Sequence, residues 1–214
     1  MITTNEKYEI TDIAHEQYPF LHRIRALREI GAEVKTGDLG GFVGSESNLS
    51  FEPGDDAWIF DDAIACNNAY VDKGSHLRKS AVACHNAYVS HGTVMTGSAR
   101  AEDDAYIRGA VLSGQARASG QSMILHSQDT LSSPTLSGRC AVYGKVSGNV
   151  RLTGTAIVIS GEEICNNTPD TLVISGKSRS VIRDDSRDEL KPRQALAKDR
   201  AEKGENSRKR GISR

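Results

Sequence analysis

A repeat of six residues runs through the middle of the chain and limits the folds it can adopt. Read in steps of six from Ala57, the first position is small and the residue two places later is apolar. The residue just before each of nine steps is Asp, Asn, Gly or Ser, types that tolerate the tight, often left-handed conformation of a corner. This pattern predicts a short strand and a sharp turn every six residues. The first positions are Ala57, Ala63, Ala69, Ser75, Ala81, Ala87, Thr93, Ala99 and Ala105.

A longer period, three hexapeptides in length, lies on top of the short repeat. The segment 65–71 is echoed at 83–89 and again at 101–107. Three hexapeptides per coil predict a triangular prism of parallel strands. The inward positions agree, because each layer combines one large, one alanine and one β-branched side chain, and a uniform prism needs a constant volume per layer. The inward columns are Ile59, Leu77, Met95 and Leu112; Ala65, Ala83, Ala101 and Ala118; Val71, Val89, Ile107 and Ile124.

The repeat is interrupted at a few places. The columns stay in phase only if one residue is deleted between Ile107 and Ala110. The match weakens at 128–133, and a further slip is expected near 146–150. Two late strands are predicted at 156–161 and 171–176, separated by a loop at 162–170.

A family resemblance follows from these motifs. The repeat resembles the left-handed β-helix of hexapeptide acyltransferases and γ-class carbonic anhydrases, in the trimeric LpxA-like superfamily. The opening segments 21–27, 37–43, 48–50 and 56–59 resemble those of YdcK-like and phage-associated hexapeptide-repeat proteins. The resemblance covers about residues 7–176. It implies an all-β fold, a single-stranded left-handed parallel β-helix with three hexapeptide repeats in each coil.

Three regions are predicted along the chain. Residues 1–54 form an N-terminal β cap, in which 7–12 and 20–27 alternate like short strands. Residues 55–176 form the β-helix. Residues 177–214 form a basic tail, with a short helix at about 192–203 and disorder after it. Residues 1–176 carry 14 Lys/Arg and 21 Asp/Glu, whereas residues 177–214 carry 13 and 7, so an acidic body bears a basic tail.

Composition predicts a cytoplasmic protein. The first ten residues contain no apolar run, so no signal peptide is expected. No stretch approaches the roughly 20 apolar residues of a membrane span. The four cysteines are therefore predicted to be reduced.

Stacked coils turn residues three hexapeptides apart into neighbours, so candidate sites are columns rather than linear motifs. His85 and Asp103, one coil apart, are the candidates for an oriented catalytic base. Cys66, Cys84 and His85 are the candidates for three metal ligands. The alternative is that all four are polar corner residues, hydrogen-bonded to neighbours or to water.

A second candidate site is a column of outward tyrosines. Tyr70, Tyr88 and Tyr106 precede inward residues and are predicted to share one face, continued by Met123 and Ala141. An exposed stripe of this kind marks an interface. The alternative is stacking between strands that stabilises the sheet without any partner.

Two functions are weighed. The first is a non-catalytic scaffold, of the kind found in mobile elements and prophages, which binds a protein partner or a second copy through the tyrosines and an anionic partner through the tail. The second is a hexapeptide-type acyltransferase. Residues such as Phe60, Arg78 and Cys84 replace the small residue usual in those enzymes. The scaffold is favoured, and it needs no cofactor; acyl-CoA is expected only under the alternative.

Overall fold

The computed structural model describes residues 4–129 and 131–184. Within these ranges the fold is all-β, with one 3-10 helix, Glu46–Asn48, and no α-helix. The described residues up to Ile182 form one compact unit, and residues 183 and 184 lie outside it. The helix predicted at about 192–203 and the disorder predicted after it lie outside the described residues.

Most strands are only two residues long, as the six-residue repeat predicts. In chain order they are β1 (Tyr8–Ala14), β2 (His22–Ala26), β3 (Leu39–Val43), β4 (Trp58–Ile59), β5 (Ile64–Ala65), β6 (Tyr70–Val71), β7 (His76–Leu77), β8 (Val82–Ala83), β9 (Tyr88–Ser90), β10 (Val94–Met95), β11 (Arg100–Ala101), β12 (Tyr106–Arg108), β13 (Val111–Leu112), β14 (Arg117–Ala118), β15 (Met123–Leu125), β16 (Thr135–Leu136), β17 (Ala141–Val142), β18 (Lys145–Gly148), β19 (Val150–Thr153), β20 (Ile157–Val158), β21 (Glu163–Asn166), β22 (Thr171–Ser175) and β23 (Ser178–Ile182).

The strands form the three sides of a β-solenoid of about seven turns. The nine-stranded sheet has the order β1-β2-β3-β5-β8-β11-β14-β17-β20, and the eight-stranded sheet runs β23-β22-β19-β16-β13-β10-β7-β4. The six-stranded sheet runs β21-β18-β15-β12-β9-β6. Successive coils pair in parallel, and Ala65 lies opposite Ala83, three hexapeptides later. The predicted parallel β-helix is confirmed, with roughly 18 residues per turn.

The interior follows the predicted layers. Each large, alanine or β-branched residue of the three inward columns is fully buried in one continuous core. Continuing the columns, Leu136 and Leu152, Val142 and Val158, and Val146 and Ile164 are also buried. Sidedness is fixed because neighbouring residues of one strand alternate between the core and the surface.

The register changes where corners gain or lose residues. Ile107 lies 18 residues after its partner Val89, whereas Leu112 lies only 17 residues after its partner Met95, so the single deletion falls after Ile107, where it was predicted. Leu112 lies opposite Leu136, so the connection 126–134 holds six extra residues. Because six is one repeat, the hexapeptide step runs on unbroken through a segment that leaves the coil.

The later slip predicted near 146–150 is wrong by a few residues. Only Tyr143 and Gly144 separate β17 from β18, two fewer residues than at the equivalent corner between β8 and β9. A Cβ on Gly144 would lie 2.3 Å from the carbonyl oxygen of Glu162 and 2.4 Å from that of Ile159. The shortened corner therefore fits because position 144 has no side chain.

β21 and β23 are among the strands that the sequence did not predict. β21 lies inside the segment 162–170 that was predicted as a loop, and it buries Ile164 opposite Val146. β23 lies beyond Gly176 and pairs antiparallel with β22. Its five residues are exposed, so the inward apolar period that marks the coils is missing from it.

The N-terminal segment packs over the first coil. β1 and β2 pair antiparallel, β2 and β3 pair antiparallel, and β3 joins β5 in parallel. Trp58, whose equivalents His76 and Val94 point outward, is only 1% exposed because this segment covers it. The rings of Tyr8 and Trp58 pack edge to face, with their centroids 6.3 Å apart. A Cβ on Gly40 would lie 2.8 Å from the Trp58 ring, so Gly40 gives the ring its space.

One corner is a stack of glycines. Gly97, Gly114, Gly138 and Gly154 follow one another on successive coils, all with positive φ. A Cβ on Gly114 would lie 3.0 Å from the carbonyl oxygen of Gly138, and the contacts of Gly97 and Gly138 in the stack are as close. Both the backbone conformation and the spacing therefore require glycine here.

Candidate functional site

The outward side of the six-stranded sheet carries an aligned column of tyrosines. Tyr70, Tyr88, Tyr106 and Met123 lie opposite one another on β6, β9, β12 and β15. The ring centroids are 5.8 Å and 5.4 Å apart, with interplanar angles of 25° and 29°. The rings thus stack on each other, while Met123 ends the apolar stretch and is 39% exposed. We call these four residues the tyrosine face.

The prediction that Ala141 continues the tyrosine column beyond Met123 is wrong. Lys145, not Ala141, lies opposite Met123, and it pairs with Glu163 on the next coil at 2.6 Å. Ala141 lies on the nine-stranded sheet, opposite Arg117. The six extra residues of 126–134 move it one side round the prism.

A hydrogen-bonded network lies beside the tyrosine face. The Tyr88 hydroxyl donates to Oδ2 of Asp72 at 2.8 Å, and Asp72 is 6% exposed. Ser90, fully buried, has its Oγ 2.6 Å from Nδ1 of His91. Burial and the neighbouring Asp72 raise the pKa of Tyr88, while the contact with Ser90 opposes that rise. Tyr88 is therefore a neutral hydrogen-bond donor, held in place by the coil below it.

The predicted pair His85 and Asp103 lies at another corner, after β8 and β11. Asn67, His85 and Asp103 all have positive φ, between 56° and 59°. Each side chain points along the prism towards the next coil. Asn67 Oδ1 accepts the backbone N–H of His85 at 3.5 Å, His85 Nδ1 accepts that of Asp103 at 3.2 Å, and Asp103 Oδ2 accepts that of Gly120 at 2.9 Å.

This ladder of corner bonds determines what the pair can do. Nδ1 of His85 also lies 3.3 Å from Oδ1 of Asp103, but its lone pair faces the backbone N–H. The ring proton is then on Nε2, the wrong tautomer for a base oriented by Asp103. The pKa of Asp103 is lowered by hydrogen bonds from the Ser119 hydroxyl and the Gly120 N–H. The side chains of His85 and Asp103 therefore act as hydrogen-bond acceptors that stabilise this corner.

The two corner cysteines are protonated thiols. Cys66 and Cys84 are both free. Burial raises the pKa of Cys66, and burial together with Cys66 and Glu102 raises the pKa of Cys84 to about 11. Cys84 Sγ lies 4.0 Å from Nδ1 of His85. In residues 4–129 and 131–184 no group of three or more His, Cys, Asp or Glu side chains has the arrangement of a metal site.

Glu102 is the third residue of this corner column, and two arginines balance the charge of its carboxylate. It is 5% exposed, and its two carboxylate oxygens pair with the guanidinium groups of Arg100 and Arg117. A buried carboxylate held by two cations is a structural ion pair. It closes the surface between β11 and β14.

Comparison of the chain with protein-family models, with curated proteins and with solved structures finds no match. The coiled architecture thus stands on the structure itself, and the YdcK-like identity stays a prediction. The described part of the chain also contains no helix with the length and hydropathy of a membrane span.

One cluster was missed by the sequence analysis. Arg108 lies opposite Ser90 and Leu125, and His91 and His126 are the next residues on the neighbouring coils. The signal was present, because the same one-residue deletion that aligns Met95 with Leu112 also stacks His91, Gly109 and His126. Sequence reasoning applied that register to the inward columns and not to this corner.

Proposed function

We propose that the protein is a non-catalytic β-helical scaffold that binds a protein partner through the tyrosine face. The observation that carries the proposal is the aligned column of Tyr70, Tyr88 and Tyr106, extended by the exposed Met123. Tyrosine, methionine and arginine are enriched at protein interfaces. Six parallel strands at about 4.8 Å spacing make this side a flat, rigid strip about 24 Å long.

The ring geometry favours a polar partner surface over an apolar one. Each tyrosine packs against the next, so the face of the middle ring is covered on both sides. Ring edges and the hydroxyls of Tyr70 and Tyr106 are left to contact a partner, because the Tyr88 hydroxyl is already bonded to Asp72. The stacked tyrosine side chains are already ordered before binding, so less conformational entropy is lost when a partner binds.

The alternative is a hexapeptide-type acyltransferase using acyl-CoA. That reaction needs a base, and the candidate His85 uses its Nδ1 lone pair on a backbone N–H. The bonds of Asp103 to Ser119 and Gly120 likewise engage it within the corner. We therefore keep the scaffold, with membership of a YdcK-like, phage-associated hexapeptide-repeat group as part of the proposal. A cytoplasmic location and an anionic partner for residues 177–214 stay predictions.

The test replaces the exposed end of the tyrosine face and compares it with a matched position on another side. Met123 is 39% exposed on the six-stranded sheet and Val111 is 38% exposed on the eight-stranded sheet. A photo-crosslinking residue is placed at 123 or at 111 in the full chain, and the captured protein is identified by mass spectrometry. Met123→Glu and Val111→Glu are then compared in binding that identified protein.

The expected result is one partner crosslinked from position 123 and not from 111, with binding lost in Met123→Glu and kept in Val111→Glu. Sedimentation of the purified chain shows whether the partner is instead a second copy, which would replace the heterologous partner proposed here. Equal crosslinking from both positions, or equal loss in both variants, would exclude the tyrosine face as the binding surface.

A further inference from the structure

The corner between the six-stranded and eight-stranded sheets gathers basic side chains on consecutive coils. Lys73, His91, Gly109 and His126 follow β6, β9, β12 and β15 at this corner, about 4.8 Å apart per coil. Arg108 precedes Gly109 and lies between the coils that bear the two histidines. We call Lys73, His91, Arg108 and His126 the basic corner.

Arg108 lacks the partner that other half-buried arginines have. Arg78 pairs with Glu33, and Arg23 pairs with Asp62. Among residues 4–129 and 131–184, no carboxylate pairs with Arg108, and its Nε is buried without a hydrogen-bond partner. Burying part of a cation without an acceptor costs free energy. The guanidinium is therefore set up to receive an acceptor from outside the described chain.

His126 shows the same deficit. Its Nδ1 is buried and has no hydrogen-bond partner within the described residues. The ring lies directly over Gly109, where a Cβ would come within 2.8 Å of Nδ1. Because Gly109 has no side chain, the His126 ring can pack against the backbone of the preceding coil, where Arg108 is the neighbouring residue.

The electrostatics of His91 show that these groups act on one another. Burial lowers the pKa of His91 most, and the charges of Arg108, Lys73 and His126 lower it further. Within the described residues, Asp72 is the carboxylate that opposes them at His91, and its Oδ2 already accepts a hydrogen bond from Tyr88. The basic corner thus carries excess positive charge on a body whose residues 1–176 hold more acidic than basic side chains.

We propose that the basic corner binds a phosphate group, with Arg108 as its main donor and His91 and His126 beside it. Tetrahedral oxyanions accept several charge-assisted hydrogen bonds at once, and a guanidinium offers two parallel donors. The phosphate is either free or part of a larger ligand that reaches Tyr106 and the rest of the tyrosine face. This inference does not depend on the protein partner proposed above.

The test is a titration of the full chain with inorganic phosphate at constant ionic strength, followed by the histidine ring signals in NMR. His91 and His126 should shift and saturate together, while His85, on another corner, should not. A bound anion favours the protonated ring, so saturating phosphate should raise the pH at which the His91 ring signals titrate. Phenyl phosphate forms a second arm: tighter binding than phosphate assigns the site to a larger, ring-bearing ligand, and equal binding assigns it to the free ion.

Variants at arginines make the test specific. Arg108→Ala should weaken phosphate binding about tenfold or more, and Arg108→Lys less. Arg151→Ala removes the same charge from an exposed position on the eight-stranded sheet and should leave binding unchanged. Thermal melts establish that each variant is folded. Shifts of His91 and His126 no larger than that of His85, or an equal loss in Arg108→Ala and Arg151→Ala, would overturn the proposal.

Discussion

The backbone N–H of Asp103 donates a hydrogen bond of 3.2 Å to Nδ1 of His85, one coil before it. Two residues that sequence spacing brings together as a catalytic pair are thus joined through the main chain of one and the ring of the other. A corner residue has a backbone N–H that the short strands do not pair, and the side chain from the preceding coil supplies the acceptor.

His85→Asn should keep this corner intact. Asparagine offers an oxygen acceptor, as Asn67 does one coil earlier, and it tolerates the positive φ of 59° at position 85. His85→Ala loses the acceptor and should lower the free energy of unfolding by about 1–2 kcal/mol. Urea denaturation of the two variants checks this. Equal stability of both variants would show that the bond contributes nothing.

Gly114→Ala should be more destabilising than Gly92→Ala. Both glycines have positive φ, 67° and 70°, so the conformational cost of about 1 kcal/mol is shared. Only at Gly114 would the new Cβ lie 3.0 Å from the backbone of the next coil, whereas nothing lies within 4 Å at Gly92. Thermal melts of the pair isolate the steric part, and a Gly92→Ala variant as unstable as Gly114→Ala would contradict close stacking.

Ala83→Leu should overpack one layer of the prism. Ala83 is fully buried in the alanine column, and overpacking a filled core costs about 1–3 kcal/mol. Ala141→Leu is the matched control, because Ala141 lies on the outward side of the same nine-stranded sheet. The free energy of unfolding from urea denaturation should fall only for the inward variant.

Lys7 should make stability rise with pH between about 8 and 10.5. Lys7 is 1% exposed and its ammonium donates to the carbonyl of Ser50 at 2.8 Å. Burial lowers the pKa of Lys7 from 10.5 to about 8, partly opposed by Asp55. The folded state therefore loses the proton before the unfolded state does, and folding gains on the order of 3 kcal/mol across that window as pH rises.

Comparison with Lys7→Met isolates this contribution, because the buried cysteines and tyrosines titrate in both proteins. The difference in free energy of unfolding, wild type minus Lys7→Met, should increase from pH 8 towards pH 10.5 and stay flat below pH 8. A difference that is constant with pH would mean that Lys7 has an ordinary pKa in the folded chain.

The inward half of the fold could be predicted because volume is conserved from layer to layer. The side chains at the positions of Ala65 and Val71 change little in size from one coil to the next. Because the volume allowed at each inward position is fixed, the pattern is visible residue by residue in the sequence. The outward half follows no such rule. Trp58 is buried by the N-terminal segment, which depends on contacts between distant parts of the chain and leaves no period in the sequence.

The candidate sites also include one part that the repeat predicts and others that it does not. The alignment of Tyr70, Tyr88 and Tyr106 follows from the period of three hexapeptides alone. The error at Ala141 arose because a segment of six extra residues is invisible to a six-residue step. The sequence left two roles open for His85, since a ring that accepts a main-chain N–H and a ring that abstracts a proton have the same spacing from Asp103.

That same segment, 126–134, has a practical meaning for engineering. It leaves the coil after β15 and returns at β16 with all three sides still in phase. Doubling the length of such an excursion costs only about 0.6 kcal/mol of closure entropy. A foreign peptide inserted here would be displayed beside the prism, while the coils before and after it keep the spacing they have now.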